Sequence, residues 1–463
     1  MPERWDELDL SVPRRLHVIW IGGKAMSAIA EILVAMGHDV SGSDLNDVAV
    51  LDRLRNLGVA VAVGAGTVLP PGVELVVRSS GVADDHAEVH EARRRGLPVL
   101  GRPQVQGAIA RMRRTIAVSG THGKTSTTAM LVHILDAVGA DPSYIVGGDL
   151  GGAAGGVRWG DGEWFVVEAD ESDGTFLELG AERVVLTNVE ADHLDRYGTV
   201  DAIAVAFEEF VGGAERALVG ADDPVAAAIG ARHGARTFGF AEDADVRIAD
   251  LDVHRGSTHF TVQVSGSAPL AVVVPEPGRH NALNATAALA AAADTGVAWV
   301  DAAAALRDYR GVGRRFETRG EVAGITVVDD YAHNPGKVRA VVDAASHGGW
   351  GRVVVVFQPH RYSRTEDLWR EFATSFDGAD LVVVTELDPA GERPRPGVSG
   401  HMVVEALAEA RPATNLAWVP ERADLLDHLV AVLEPGDLCL TLGAGSITTL
   451  ADDLVPLLEA RFG

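Results

Sequence analysis

The stretch Ser119-Gly120-Thr121-His122-Gly123-Lys124-Thr125-Ser126 constrains this chain more than any other. The apolar run Thr115 to Val118 before it reads as a buried strand, and a helical run from Thr125 to about Val138 follows. Strand, small-residue loop and helix in that order make a phosphate loop, shorter than the common form. Gly120 and Gly123 let the backbone turn its N–H groups inward, where they cradle phosphate oxygens. The helix N-terminus adds a partial positive charge. Lys124 can reach the outer phosphates, and the Thr125 hydroxyl can ligate Mg²⁺. The spacing predicts ATP binding through Gly120, Thr121, His122, Gly123, Lys124, Thr125 and Ser126. An ordinary strand-to-helix turn is the plainer alternative.

Composition narrows the partners. The 463 residues suffice for two to four domains at roughly 150 residues each. Forty basic against 66 acidic residues give a formal charge of −26, which argues against nucleic acid or an anionic membrane as partner. The single cysteine, Cys439, lies in the apolar run Leu438 to Leu442 and has no partner for an internal disulfide, so a reducing compartment fits. No apolar run reaches the ~18 residues of a membrane helix. The segment Met1 to Pro13 is charged and lacks the apolar core of a signal peptide. A cytoplasmic protein with no membrane insertion is expected.

Upstream of the phosphate loop, Arg15 to Ile21 reads as a strand, Gly22-Gly23 as a turn, and Met26, Ile29, Ile32, Leu33 and Met36 recur at helical spacing. A second strand follows from Asp39 and ends in Ser41-Gly42-Ser43-Asp44. This βαβ unit has the plan of a Rossmann-like nucleotide site, with Asp44 toward a ribose or base. Its glycine fingerprint is damaged, because Trp20 and Lys24 stand where small residues are usual. Leu75 to Arg78 is a further strand, closed by Ser79-Ser80-Gly81, and Leu97 to Leu100 another. Arg102 follows it and can counter a diphosphate or be solvated.

Downstream, glycines cluster from Gly147 to Gly162 as a flexible loop. The strand Trp164 to Val167 leads into Glu168-Ala169-Asp170-Glu171-Ser172-Asp173, whose four carboxylates repel one another unless a cation sits nearby. The strand Val184 to Leu186 ends near His193. Thr125, Glu168 and His193 thus sit at the C-terminal ends of strands, where ligands bind in open α/β sheets, and can converge on Mg²⁺. An antiparallel patch is expected over Val246 to Val274. His280, Asn281 and Asn284 open an alanine-rich helix and offer edges that read an adenine, or else simply cap it. Arg314-Arg315-Phe316-Glu317 marks a domain junction. Strands at Ile325–Val328, Val353–Phe357, Leu381–Val384 and Leu438–Leu442 alternate with helices near Val338–Ala345, Glu366–Phe376, His401–Ala410 and Ala423–Leu433. That is another α/β layer structure. Its strand ends carry Asp329-Asp330-Tyr331-Ala332-His333-Asn334 and Gln358-Pro359-His360-Arg361-Tyr362-Ser363-Arg364-Thr365.

These motifs, in this order along nearly the whole chain, resemble the Mur ligases, and most closely their alanine-adding branch. The resemblance implies an α/β fold with three domains: a UDP-sugar-binding domain (1–109), a central ATPase (110–318) and a C-terminal domain (319–463) that closes over the site. It implies that ATP phosphorylates the carboxylate of UDP-N-acetylmuramate and that the amine of L-alanine displaces the phosphate, a step of peptidoglycan precursor synthesis. By carry-over, Thr125, Glu168 and His193 hold Mg²⁺, and Lys124 and His333 meet the γ-phosphate. His280, Asn281, Asn284, Arg315 and Asp330 hold ATP. Tyr331, His360, Arg361 and Arg364 frame the amino acid and the acyl centre, and Gly22, Gly23, Asp44, Ser79, Ser80 and Arg102 the sugar nucleotide.

The chain departs from the family pattern at Trp20, Lys24, Gly156, Asn334, Lys337, Asp388 and Ser446. The departures gather around the sugar nucleotide and the amino acid, while the ATP and Mg²⁺ residues match. Kept ligase chemistry with a shifted donor or acceptor is therefore an alternative, as is a nucleotide-binding protein without ligase activity.

Overall fold

The computed structural model describes residues 8–65, 68–150, 155–412 and 415–462, apart from the side chains of Leu194 and Asp195. The start of the charged N-terminal segment, positions 151–154 of the glycine-rich loop and the Leu194-Asp195 side chains lie outside the described residues. Backbone contacts divide the chain into two units. Unit one comprises Met1–Arg247, Val264–Ser267 and Thr286–Ala305; unit two comprises Ile248–Gln263, Ala268–Ala285 and Leu306–Gly463.

Unit one carries two parallel layers. The first sheet runs Ala60–Val63, Asp39–Asp44, Arg15–Ile19, Leu75–Arg78, Val99–Gly101 in space. Its pairings are all parallel. The first strand stops at Ile19, short of the expected Ile21, because Trp20 takes a left-handed backbone (φ 59°). The strand expected over Leu97–Leu100 is Val99–Gly101; Pro98 has no N–H to donate to a ladder. The second sheet has the parallel core Arg236–Gly239, Arg216–Gly220, Arg183–Leu186, Arg114–Ser119, Trp164–Glu168, Ser143–Ile145. The glycine-rich loop is less irregular than expected. Within it Val157–Arg158 pairs antiparallel with Ser143–Ile145, and Val146 N–H bonds the Gly156 carbonyl at 2.8 Å. One apolar cluster joins Ile29 and Leu33 of the first layer to Phe165, Phe176 and Phe207 of the second.

Unit two holds an antiparallel pair, from Thr258 opposite Val274 to Val262 opposite Leu270, as expected of that patch. It also holds a six-stranded sheet among the described residues, in the order Glu317–Val322, Ile325–Asp330, Asp437–Leu442, Arg352–Phe357, Leu381–Val384, Leu416–Trp418. All pairings are parallel except the first, which is antiparallel and bulged between Thr318 and Gly320. Cys439 lies fully buried in the Asp437–Leu442 strand. The single helix expected over Glu366–Phe376 is instead a helix Tyr362–Leu368 and a 3₁₀ turn Glu371–Thr374. The break lets Phe372 and Phe376 both pack on Phe357, with ring centroids 4.9 and 5.3 Å away.

Candidate active site

In unit one the phosphate loop joins the strand Arg114–Ser119 to the helix Lys124–Ala137. Gly120 (φ 130°) and Gly123 (φ 81°) both take left-handed backbone, which a side chain would strain. A Cβ at Gly120 would also run into the Thr187 hydroxyl. That hydroxyl bonds the His122 carbonyl at 2.6 Å, and the Asn188 side chain accepts from His122 N–H at 2.9 Å. The Thr187-Asn188 motif thus clamps the loop.

Lys124 Nζ donates to the Gly120 carbonyl at 2.6 Å and to Glu171 Oε1 at 2.8 Å. Burial disfavours its charge, but Glu171, Asp170 and Glu168 together hold its pKa above the ordinary lysine value. Of the four clustered carboxylates, Glu171 therefore meets Lys124, and Asp173 meets Arg102. Asp170 accepts from Ser172 N–H and Oγ, and Glu168 accepts from Thr125 Oγ1 at 2.9 Å and Gly147 N–H at 2.6 Å. Arg102 is accordingly neither solvated nor unengaged: it also bonds Thr175 Oγ1 at 2.9 Å.

Ligand atoms of Asp170, Glu171 and His193 lie within 4.8 Å of one another. The sequence pattern places His193 with Thr125 and Glu168. The structure brings Thr125 and Glu168 together and sets His193 (φ 52°) beside Glu171 at 3.9 Å. Asp170 and Glu171 were visible only as part of the acidic run. Glu171 Oε2 is buried and has no hydrogen-bond partner. An unsatisfied carboxylate oxygen among hard oxygen donors and an imidazole fits a divalent cation such as Mg²⁺.

At the N-terminal glycine turn, Asp44 Oδ2 accepts from Gly22 N–H at 2.8 Å and Oδ1 from Asn46 N–H at 3.1 Å. Its carboxylate shapes the turn. Trp20 lies over Gly81, where an added Cβ would stand 2.8 Å from the indole, and meets His86 edge-on at 6.4 Å. Ser79 and Ser80 end the strand Leu75–Arg78, and Ser79 O accepts from Val82 N–H at 3.0 Å. Gly23 is exposed, and Lys24 bonds the Gly147 carbonyl. Gly156 must be small, because a Cβ there would run into the Gly148 carbonyl and stand 2.6 Å from the Val146 carbonyl.

The helix Arg279–Asp294, whose residues up to Ala285 belong to unit two, starts before Asn281, so Asn281 does not cap it. Asn281 Nδ2 donates to the Pro277 carbonyl at 3.0 Å, and Asn284 Nδ2 to Asn281 Oδ1 at 3.3 Å. Burial drives the His280 imidazole down to about 4, leaving it neutral. Asp330 is buried and accepts from Phe316 and Ala332 N–H, each at 2.8 Å; burial raises its pKa. The guanidinium of Arg315 stands 5.3 Å from the Tyr331 ring, which Arg314 also approaches at 4.9 Å.

The residues expected to frame the amino acid gather at two strand ends. Tyr331 and His333 follow Ile325–Asp330, and their rings meet at 4.9 Å. His360, Arg361 and Arg364 follow Arg352–Phe357, and His360 lies 5.9 Å from the His333 ring. Arg361 has a left-handed backbone (φ 72°), held by its N–H on the Asp388 carbonyl at 2.8 Å. The departures acquire local reasons here. Asn334 caps the helix Pro335–Ser346 by accepting from Lys337 N–H at 3.0 Å. Asp388 accepts from Ser446 N–H at 2.9 Å, and Ser446 Oγ meets Gln358 Nε2 at 3.2 Å, so these two departures support each other.

The chain matches the Mur ligase family, catalytic domain over residues 15–114, the Mur ligase middle domain over 118–292 and the Mur ligase, glutamate ligase domain over 314–445. It is 41% identical to the UDP-N-acetylmuramate–L-alanine ligase of Geobacter sulfurreducens, over 96% of this chain and 98% of that one. It is also 41% identical to the enzyme of that name from Thermobifida fusca, over 96% of each chain. Among solved structures, the UDP-N-acetylmuramate-alanine ligase of Thermotoga maritima is 29% identical, with a TM-score of 0.80 over 97% of this chain and 100% of that one. A murein peptide ligase from Psychrobacter arcticus is 25% identical with a TM-score of 0.67, over 96% of this chain and 99% of that one. Likeness of this extent, covering all three α/β layers, establishes that the chain belongs to the Mur ligase family.

Proposed function

We infer that this chain joins L-alanine to UDP-N-acetylmuramate, converting ATP to ADP and phosphate, in peptidoglycan precursor synthesis. One observation carries the reading: nearly full-length identity of 41% to ligases of that name, on a chain whose phosphate loop is formed and clamped. A carboxylate is a poor acylating agent, and phosphorylation supplies a leaving group. Carboxylate and triphosphate repel each other, so the transfer needs fixed positive charge. Lys124, held charged by its carboxylate neighbours, supplies it.

Thr125, Glu168 and His193, with Asp170 and Glu171 adjoining, would hold Mg²⁺. Bound there, the ion neutralises phosphate charge and orients the triphosphate. Gly120 through Ser126 receive the phosphates, and His280, Asn281, Asn284, Arg315 and Asp330 complete ATP binding. Tyr331, His360, Arg361 and Arg364 receive the amino acid; Gly22, Gly23, Asp44, Ser79, Ser80 and Arg102 receive or shape the site of the sugar nucleotide. The domain limits 1–109, 110–318 and 319–463 belong to the same reading. No helix among the described residues is long and apolar enough to cross a membrane, which supports a cytoplasmic location, as does the net charge for a partner set without nucleic acid.

The test is phosphate release from ATP and Mg²⁺ with UDP-N-acetylmuramate against a panel of amino acids and short peptides. Turnover strongly favouring L-alanine is expected. Turnover favouring another acceptor overturns the substrate assignment, and silence with every acceptor in folded protein overturns the activity.

A further inference from the structure

Two histidines in unit two have their protons fixed by their neighbours. His333 Nδ1 lies 2.7 Å from the Tyr331 carbonyl. A carbonyl only accepts, so Nδ1 carries the hydrogen and Nε2 holds a lone pair. His360 Nδ1 lies 3.3 Å from Arg364 Nη1. A guanidinium only donates, so His360 Nδ1 accepts and a neutral His360 carries its hydrogen on Nε2. The rings stand 5.9 Å apart, and no described protein group bonds either Nε2. One ring thus presents an acceptor and its neighbour a donor.

The resemblance alone would set His333 against the γ-phosphate. A neutral imidazole with its lone pair outward repels an anion. It suits the opposite task. An amino acid arrives as an ammonium, which has no electron pair for attack, and must lose a proton first.

We propose that His333 Nε2 takes the proton from the ammonium of the acceptor amino acid. The proposal rests on the ligase reading. The proton passes to His333 Nε2, and the freed nitrogen pair forms the C–N bond to the acyl carbon. The carbon–oxygen bond to phosphate then breaks, its electron pair leaving with the phosphate, which also takes the second amine proton. His360 Nε2–H, beside Arg361 and Arg364, donates to the acceptor carboxylate.

His333 is 7% exposed. Burial, then Lys337 from the helix Pro335–Ser346, Arg364 from the helix Tyr362–Leu368 and His360 from the loop before it lower its pKa well below the ordinary histidine value, opposed by the Tyr331 carbonyl, so the ring is neutral and able to accept, at some loss of base strength.

Hydroxylamine separates the two roles, because it is already neutral near pH 7 and captures an acyl phosphate without a base. In the full-length protein with ATP, Mg²⁺ and UDP-N-acetylmuramate, His333→Gln is expected to lower kcat/KM for L-alanine by about 100-fold or more. Hydroxamate formation should fall by less than roughly tenfold, since binding and phosphorylation do not call on the base. Equal loss with both acceptors overturns the proposal and returns His333 to the phosphoryl step; undiminished alanine turnover overturns it as well. If the unmodified protein forms neither product nor hydroxamate, the ligase reading itself fails.

Discussion

Gly23-Lys24 and Gly123-Lys124 begin two helices in the same unit, each after a strand and a short turn, yet they do different work. Gly123 has φ 81°, whereas Gly23 has φ −67° and ψ 142°, an ordinary extended residue. Lys124 turns inward onto Glu171 and the Gly120 carbonyl. Lys24 is exposed and reaches across to the Gly147 carbonyl. The same dipeptide at the same helical position turns inward toward a cluster of carboxylates in one case, where we propose phosphate binding, and is a strap between layers in the other. Backbone hand and the carboxylates across the loop decide which.

The largest test of this contrast is the lysine pair. Lys124→Ala should reduce phosphate release by about 10²- to 10³-fold, while Lys24→Ala, which gives up one exposed hydrogen bond, should change it by no more than severalfold. Comparable losses would break the comparison. Next comes Glu168→Gln, which keeps shape but removes the charge and turns one of the two accepting oxygens into an NH₂ group; it should raise the Mg²⁺ concentration needed for half-maximal turnover by about 10- to 100-fold.

The buried acid Glu276 of unit two offers a contrast with Glu171 of unit one, whose other oxygen meets the Lys124 ammonium. Glu276 is 6% exposed, and its Oε2 has no partner. Burial, with Asp330 nearby, pushes its pKa from 4.5 up to about 8 despite Arg315. The folded state then holds this proton more tightly than the unfolded state. Its contribution is intact below about 4.5 and is lost as pH rises toward about 8. Thermal melts should show stability falling over that window, on the order of a few kcal/mol, and Glu276→Gln should flatten the profile. The smallest effect is the glycine pair: Gly123→Ala should cost about 1–2 kcal/mol through its left-handed backbone, whereas Gly23→Ala should be neutral or stabilising by about 0.5 kcal/mol, read as opposite shifts in melting temperature.

What was legible in the sequence follows the same division. Parallel strands buried on both faces, such as Leu381–Val384, announce themselves as apolar runs, and that one was placed to the residue. The edge strand Glu317–Val322 was missed because its sequence is mostly polar, as an exposed edge permits. The three-residue Leu416–Trp418 is too short to show a period. The last helix, Leu450–Phe462, was passed over; it carries Pro456 in its interior, normally a breaker. At the site, Gly120 to Thr125 was readable because loop chemistry is local. The pairing of Arg102 with Asp173, or of Asp388 with Ser446, joins residues far apart in sequence, and no periodicity announces it. The departures at Trp20 and Gly156 became intelligible only once Gly81 and the Gly148 carbonyl were seen opposite them.

Cys439 has a consequence for experiment. It is the chain's one thiol, lies fully buried in the Asp437–Leu442 strand, and burial with Asp437 beside it pushes its pKa up to about 12. Alkylating reagents attack the thiolate, which is scarce at such a site. The natural protein is therefore already a blank background for labelling. A cysteine placed on any exposed surface would take a fluorophore or spin label alone, with no native residue to be removed first.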